Sequence, residues 1–140
     1  MHGYALAFEF VFKANELDDK NWVVDFGGLK ELEQWLRDNF DHKTLIAFDD
    51  PHLDSFVVLH EAGLIDLVQV NGTGCEMFAD MAFTFADGLI KSQYGERCEL
   101  VSVRVSEHGA NSAIIQRRDH DELHSNEVPE GQRLLEEWIE

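Results

Sequence analysis

Basic residues and cysteine are both scarce in this chain, and each scarcity closes off a class of protein. Eleven Lys and Arg stand against 28 Asp and Glu in 140 residues, a formal net charge of −17. A field of that sign repels phosphate backbones and anionic lipid surfaces, so neither nucleic acid nor membrane is an expected partner. Two cysteines, Cys75 and Cys98, cannot build a disulfide framework, and their spacing matches neither a zinc ribbon nor a thioredoxin-type pair. Both are read as reduced thiols. No run of about 18 apolar residues is available for a membrane span, and no basic-then-apolar leader opens the chain. A cytoplasmic protein is the expectation. What the chain does have is a 44% hydrophobic fraction with ten Phe, three Trp and two Tyr. That much apolar surface can offset chain entropy, and the length suits one domain with its own core.

Residues 4–13 alternate, with Tyr4, Leu6, Phe8, Phe10 and Phe12 on one face, which predicts a strand. The polar stretch 15–21 has turn composition and Trp22-Val23-Val24-Asp25-Phe26 resumes β-prone chemistry, so a hairpin is expected. After Gly27-Gly28, apolar residues recur at Leu29, Leu32, Leu36 and Phe40, one face of a helix. Asp49-Asp50-Pro51 marks a boundary, followed by a short helix over 53–61 and a strand over 64–70. A second long helix begins at Gly74-Cys75-Glu76 and carries Phe78, Ala82, Phe85 and Leu89 on one face. Residues 99–105 and 112–117 form a closing hairpin around a polar turn, with Val101, Val103 and Val105 alternating toward Glu107. Residues 118–128 read as a polar linker, and 129–140 as a short helix with an apolar stripe of Leu134, Leu135, Trp138 and Ile139. An antiparallel sheet with two helices on one face, an α+β arrangement, accounts for the pattern. The division is a domain over 1–117 and an accessory tail over 118–140.

Several chemistry-bearing residues have a plain reading beside a sharper one. Asp41-His42 after a helix caps that helix in the plain reading and forms an acid–base pair in the sharper one. Glu107 at a strand end is most simply a solvated carboxylate. Cys75 at a helix start is most simply a packing thiol, although a helix N-terminus also favours a reactive thiolate. His120 and His124, four apart, can share a helical face and bind metal, but their polar neighbours favour a solvated linker. The Phe8, Phe10 and Phe12 stripe is a packing face rather than a base-stacking platform, given the charge. His52, His60 and His108 carry no spacing signal.

Five stretches, in this order, resemble the 6-pyruvoyl-tetrahydropterin synthase / 6-carboxytetrahydropterin synthase family. They are His2-Gly3-Tyr4, Val24-Asp25-Phe26-Gly27-Gly28-Leu29-Lys30, Asp41-His42-Lys43-Thr44-Leu45, Gly74-Cys75-Glu76, and residues 103–113 around Glu107. The resemblance covers residues 2 to about 117. It implies a T-fold, whose subunits associate through sheet edges into a homo-oligomer, a trimer or a hexamer. It implies a small-molecule pterin substrate, 7,8-dihydroneopterin triphosphate, converted to 6-pyruvoyl- or 6-carboxy-tetrahydropterin for tetrahydrobiopterin or queuosine biosynthesis by a zinc-dependent carbon–oxygen lyase. In such enzymes a zinc held by three histidines polarises substrate oxygens, and a cysteine base is assisted by an aspartate–histidine pair. On this sequence the resemblance assigns Asp41 and His42 to that pair and Glu107 to the carboxylate that anchors the pterin edge. Glu76, Cys75 and Gly74 fall at the substrate-binding helix start, and His2 at a zinc ligand. The family's first strand, with one zinc histidine, and the loop with its cysteine would fall before Met1. An N-terminally incomplete domain is therefore expected, with a pterin-binding or structural homologue lacking zinc catalysis as the alternative. A third reading is an acidic interaction module docking through residues 129–140.

Overall fold

A strand with one apolar face needs a helix to cover it, and this chain supplies that helix from its middle. The computed structural model describes residues 1–108 and 111–125. Strand β1 (Leu6–Ala14) keeps the alternation read above: Leu6, Phe8, Phe10 and Phe12 are half-buried, while Ala7, Glu9, Val11 and Lys13 face outward. It pairs antiparallel with β4 (Cys98–Glu107), which pairs antiparallel with β5 (Asn111–Gln116), giving the order β1-β4-β5. Helix α3 (Cys75–Tyr94) covers the inner face. Its Ala79, Ala82 and Ala86 are fully buried, so the helix axis comes close to the sheet, and Phe83 fills the space against Leu100, Val103 and Val105. Of the four positions read from the sequence, Phe78 and Ala82 are buried while Phe85 and Leu89 are only half-buried at the edge, and Ala79, Phe83, Ala86 and Ile90 complete the buried stripe.

The alternating valines of β4 do not all share a face. Phe12 pairs with Leu100 while Val11 pairs with Ser102, so Val101 is an extra residue in the ladder, a bulge that resets the pleat. Leu100, Val103 and Val105 are consequently all fully buried, and Val101 is not.

Helix α1 (Lys30–Phe40) follows a short 3₁₀ turn (Phe26–Leu29) begun by Asp25, whose Oδ1 accepts the Gly27 N–H at 2.8 Å. Leu32 is buried, Trp35 stacks on Phe85 at 4.7 Å between ring centroids, and Phe40 packs on Phe8 at 4.8 Å with the rings tilted. Beyond α1, β2 (Thr44–Ala47) and β3 (Leu67–Val70) form a separate parallel pair linked through helix α2 (Leu53–Glu61). The Lys43–Asp66 ion pair sits where the two strands begin. Strand β2, with four residues, is too short to show a period in the sequence.

Two sequence expectations are corrected. Residues 22–26 form no strand and no hairpin with β1, whose partner is β4. Carbonyls of that segment go instead to side chains at the entry to β4: Arg97 donates to Trp22 O at 3.5 Å and to Val23 O at 3.0 Å, and Cys98 Sγ lies 3.0 Å from Val23 O. The supposed linker after residue 117 begins with a helix, α4 (Arg117–His124). Its first turn is closed by the Gln116 N–H donating to Asp119 Oδ2 at 3.4 Å, and its inner face is made of Arg117, His120 and Leu123. The expected helix over 129–140, with Leu134, Leu135, Trp138 and Ile139, lies outside the described residues. Among the described residues no helix is long and apolar enough to cross a membrane.

Candidate functional site

Glu107 is the last residue of β4, on the same side of the pleat as Val103 and Val105, so its carboxylate points toward the helix layer and is half-buried. It meets the first residue of α3: Cys75 Sγ lies 3.8 Å from Glu107 Oε1, with the thiol as donor. Among the described residues no Lys or Arg pairs with this carboxylate. The plain reading of Glu107 as a solvated strand end therefore gives way to an inward acceptor at the mouth between sheet and helix.

The turn that delivers Cys75 requires glycine. Gly74 has φ 128° and ψ 159°, a region essentially closed to other residues, and its carbonyl accepts the Phe78 N–H at 3.0 Å to open α3. Gly74→Ala is expected to lower stability by about 1–3 kcal/mol through backbone strain, because the added Cβ itself would meet only Glu76 Oε2, at 3.4 Å. A urea titration measures it; a cost below about 0.5 kcal/mol would mean the turn relaxes freely.

Burial, reinforced by Glu107 and Glu76, pushes the Cys75 thiol up from its ordinary value. Cys75 is thus a neutral hydrogen-bond donor, not the helix-activated thiolate that its position alone allowed. Glu76, one residue on, is exposed.

Asp41 and His42 are joined to each other, His42 Nδ1 lying 2.7 Å from Asp41 Oδ1. Both side chains are exposed, and His42 has a left-handed backbone, φ 56°. The helix terminus is closed by the backbone, with the Asp41 N–H donating to Arg37 O at 3.1 Å, so His42 is not its cap. Phe40, immediately before, packs on Phe8 and Phe78, which brings the pair toward the end of the sheet where α3 begins. His2 lies beside Tyr4 at 6.0 Å between ring centroids, and Tyr4 lies 5.3 Å from His108, next to Glu107. His2, Gly74, Cys75 and Glu107 thus come to one end of the sheet; direct contact is made between Cys75 and Glu107 and, separately, between Asp41 and His42.

The feature least visible in the sequence lies elsewhere. Asp80 on α3 and His120 and His124 on α4 place their donor atoms within 4.8 Å of one another. The spacing of the two histidines was the signal, and the helix that makes it meaningful was read as linker.

The antiparallel sheet β1-β4-β5 with α3 laid across its inner face is an α+β arrangement of the T-fold class. The family model described as 6-pyruvoyl tetrahydropterin synthase matches residues 1–130, and the chain belongs to that family. It is similar to the 6-carboxy-5,6,7,8-tetrahydropterin synthase of Rickettsia conorii, with 35% identity over 54 residues, 38% of this chain and 39% of that protein. The protein of the same description from Rickettsia bellii is 28% identical over 74 residues, 52% of this chain and 54% of that one. The matched segments therefore span about two fifths to one half of those relatives. An uncharacterized protein of Wolinella succinogenes, known from its crystal structure, shares the fold with a TM-score of 0.73 at 16% identity, over 83% of this chain and 78% of that one.

Proposed function

We propose that this chain binds a pterin at the mouth between β4 and α3, with Glu107 as its anchor. The observation that carries the reading is the Glu107 carboxylate itself, half-buried, with the Cys75 thiol as its one side-chain donor among the described residues, and facing the start of α3. A carboxylate so placed lacks the donors that offset its desolvation. The guanidine-like edge of a pterin offers two parallel N–H donors, a match for both oxygens of one carboxylate. The free N–H groups at the start of α3 lie beside it and favour negative charge there.

The Rickettsia relatives are named for 6-carboxytetrahydropterin synthesis, and the substrate proposed here is accordingly a dihydropterin bearing a phosphorylated side chain. The Asp41–His42 contact supports a proton-handling role. With Asp41 accepting from Nδ1–H, His42 keeps Nε2 free to take a proton from a substrate side chain. The three-histidine zinc centre of the family does not fit the donors at hand. Among the described residues His2 belongs to no group of three His, Cys, Asp or Glu side chains close enough to hold a metal. Strands β1 and β5 each have one unpaired edge among the described residues, which supports a homo-oligomer closed through sheet edges.

Fluorescence titration with neopterin or sepiapterin tests the anchor. Glu107→Gln is expected to weaken binding about 10–100-fold, the loss of a charge-assisted bidentate contact, while far-UV circular dichroism stays unchanged. Equal affinity in both proteins would overturn the assignment of Glu107.

A further inference from the structure

We propose that Asp80, His120 and His124 form a metal site that takes a first-row divalent cation of zinc's class. It shares no ligand with the Glu107 end of the sheet or with His2. His120 and His124 lie one turn apart on one face of α4, and that face is turned to α3 where Asp80 projects. Asp80 Oδ1 is 2.8 Å from His124 Nε2 and 4.0 Å from His120 Nε2. In a tetrahedral zinc centre with bonds near 2.0–2.1 Å, neighbouring donors lie about 3.3 Å apart. The two observed spans bracket that value, so a cation would require only small side-chain rotations. Thr84, one turn after Asp80 on α3, brings Oγ1 to 2.9 Å from His120 Nε2.

The donor chemistry selects the ion. Two imidazoles and one carboxylate suit zinc and its first-row neighbours, whereas calcium and magnesium call for oxygen ligands throughout. The environment of His120 supplies an independent observation. Its Nδ1 is buried and has no hydrogen-bond partner among the described residues, the nearest carboxylate oxygen being Asp121 Oδ1 at 3.7 Å. Ligation through Nε2 fixes the proton on Nδ1, and metal-bound histidines donate a hydrogen bond from that N–H to a carboxylate or carbonyl behind them. Asp121, at 3.7 Å, is the carboxylate that a small rotation would bring into that role. The Phe83 ring, 4.3 Å from the His120 imidazole between centroids, holds it from below.

Among the described residues the site opens onto a cleft. Asp80, Thr84 and His124 line a cleft of about 240 Å³ whose other walls include Asn71 and Met77. Three protein ligands with an open side leave a position for Thr84, water or a small anionic ligand, and the charge of −17 draws cations toward the protein.

The test is titration of the chelator-treated full chain with Zn²⁺ and with Co²⁺ as a spectroscopic probe, using calorimetry and visible absorption. One Zn²⁺ per chain is expected. His124→Gln and Asp80→Asn are each expected to lose at least about 100-fold in affinity, more than the loss of an outer-sphere partner, while His2→Ala binds as the parent does. Zn²⁺ should raise the melting temperature of the parent and not that of His124→Gln, whose substitution lies at the exposed end of α4. If Asp80→Asn does not fold, His124→Gln alone decides. Absence of Zn²⁺ and Co²⁺ binding tighter than about millimolar, retention of full affinity in His124→Gln, or loss of it in His2→Ala instead, would overturn the proposal.

Discussion

Replacing Arg117 by Met is expected to cost about 3–5 kcal/mol of folding stability, the range for leaving one partner of a buried ion pair behind. Arg117 is the first residue of α4, yet its side chain is only 19% exposed. It bonds Asp87 on α3 and donates from Nη2 and Nε to Leu100 O at 2.8 and 3.1 Å, while its guanidinium lies 4.9 Å from the Phe83 ring centroid. The Leu100 carbonyl needs that donor because β5 ends opposite Ser102, leaving the preceding part of β4 without a strand on that side. Loss of Arg117 would therefore orphan a carbonyl and strip Asp87 of its buried partner, with Lys91, 2.7 Å away and exposed, as its remaining cation. The double variant Arg117→Met with Asp87→Leu should recover part of the loss, since it removes both charges together. Equilibrium urea unfolding measures all three. A cost below about 1 kcal/mol for Arg117→Met would place the pair in the weak class of surface bridges.

The same pair sets an acid limit. Burial alone would raise the Asp87 carboxyl, but the hydrogen bonds from Arg117 and Lys91 outweigh it and hold the group below its ordinary 3.8. A depressed folded-state value means that the contribution is complete above about pH 4 and is lost as pH falls through the lower folded value. In Arg117→Met the Asp87 value moves upward, and the acid unfolding midpoint should shift to higher pH.

How legible this molecule was depends on how far each residue's partner lies along the chain. The β1 stripe and the α1 and α3 faces could be read because their periods are local, and Gly74 because a turn before a helix asks for it. The false hairpin over 22–26 arose because β-prone residues do not reveal their acceptors. Val23 is held by Arg97, whose reach across 74 positions is a tertiary fact. The bulge at Val101 was hidden for a similar reason, since alternation along β4 alone cannot show where β1 slips register. At the site, the sequence named Glu107 and Cys75 but could not say that they touch. Their meeting depends on the close approach that the small residues of α3 allow. Helix α4 was missed because its buried face consists of an Arg stem and a His ring, residues that a hydrophobic pattern counts as polar.

Phe83→Ala should be as damaging as the loss of Arg117, at about 3–5 kcal/mol, and its effect should spread to α4. Phe83 is fully buried among Leu100, Val103 and Val105, so truncation leaves a cavity that neighbouring alanines cannot fill. The ring also supports two of the residues by which α4 docks, stacking on His120 and lying under Arg117. The cost should therefore be non-additive with His120→Ala, with a coupling of about 0.5–3 kcal/mol, and amides of α4 should lose hydrogen-exchange protection before those of α3. Phe83→Leu, which keeps most of the volume, should cost less than about 1.5 kcal/mol yet remove the flat surface behind the imidazole. If the Asp80–His120–His124 cluster depends on a pre-ordered His120, that milder variant should weaken Zn²⁺ binding while the fold stays intact. Unchanged Zn²⁺ affinity in Phe83→Leu would show instead that ligand positions are set by the α4 backbone alone.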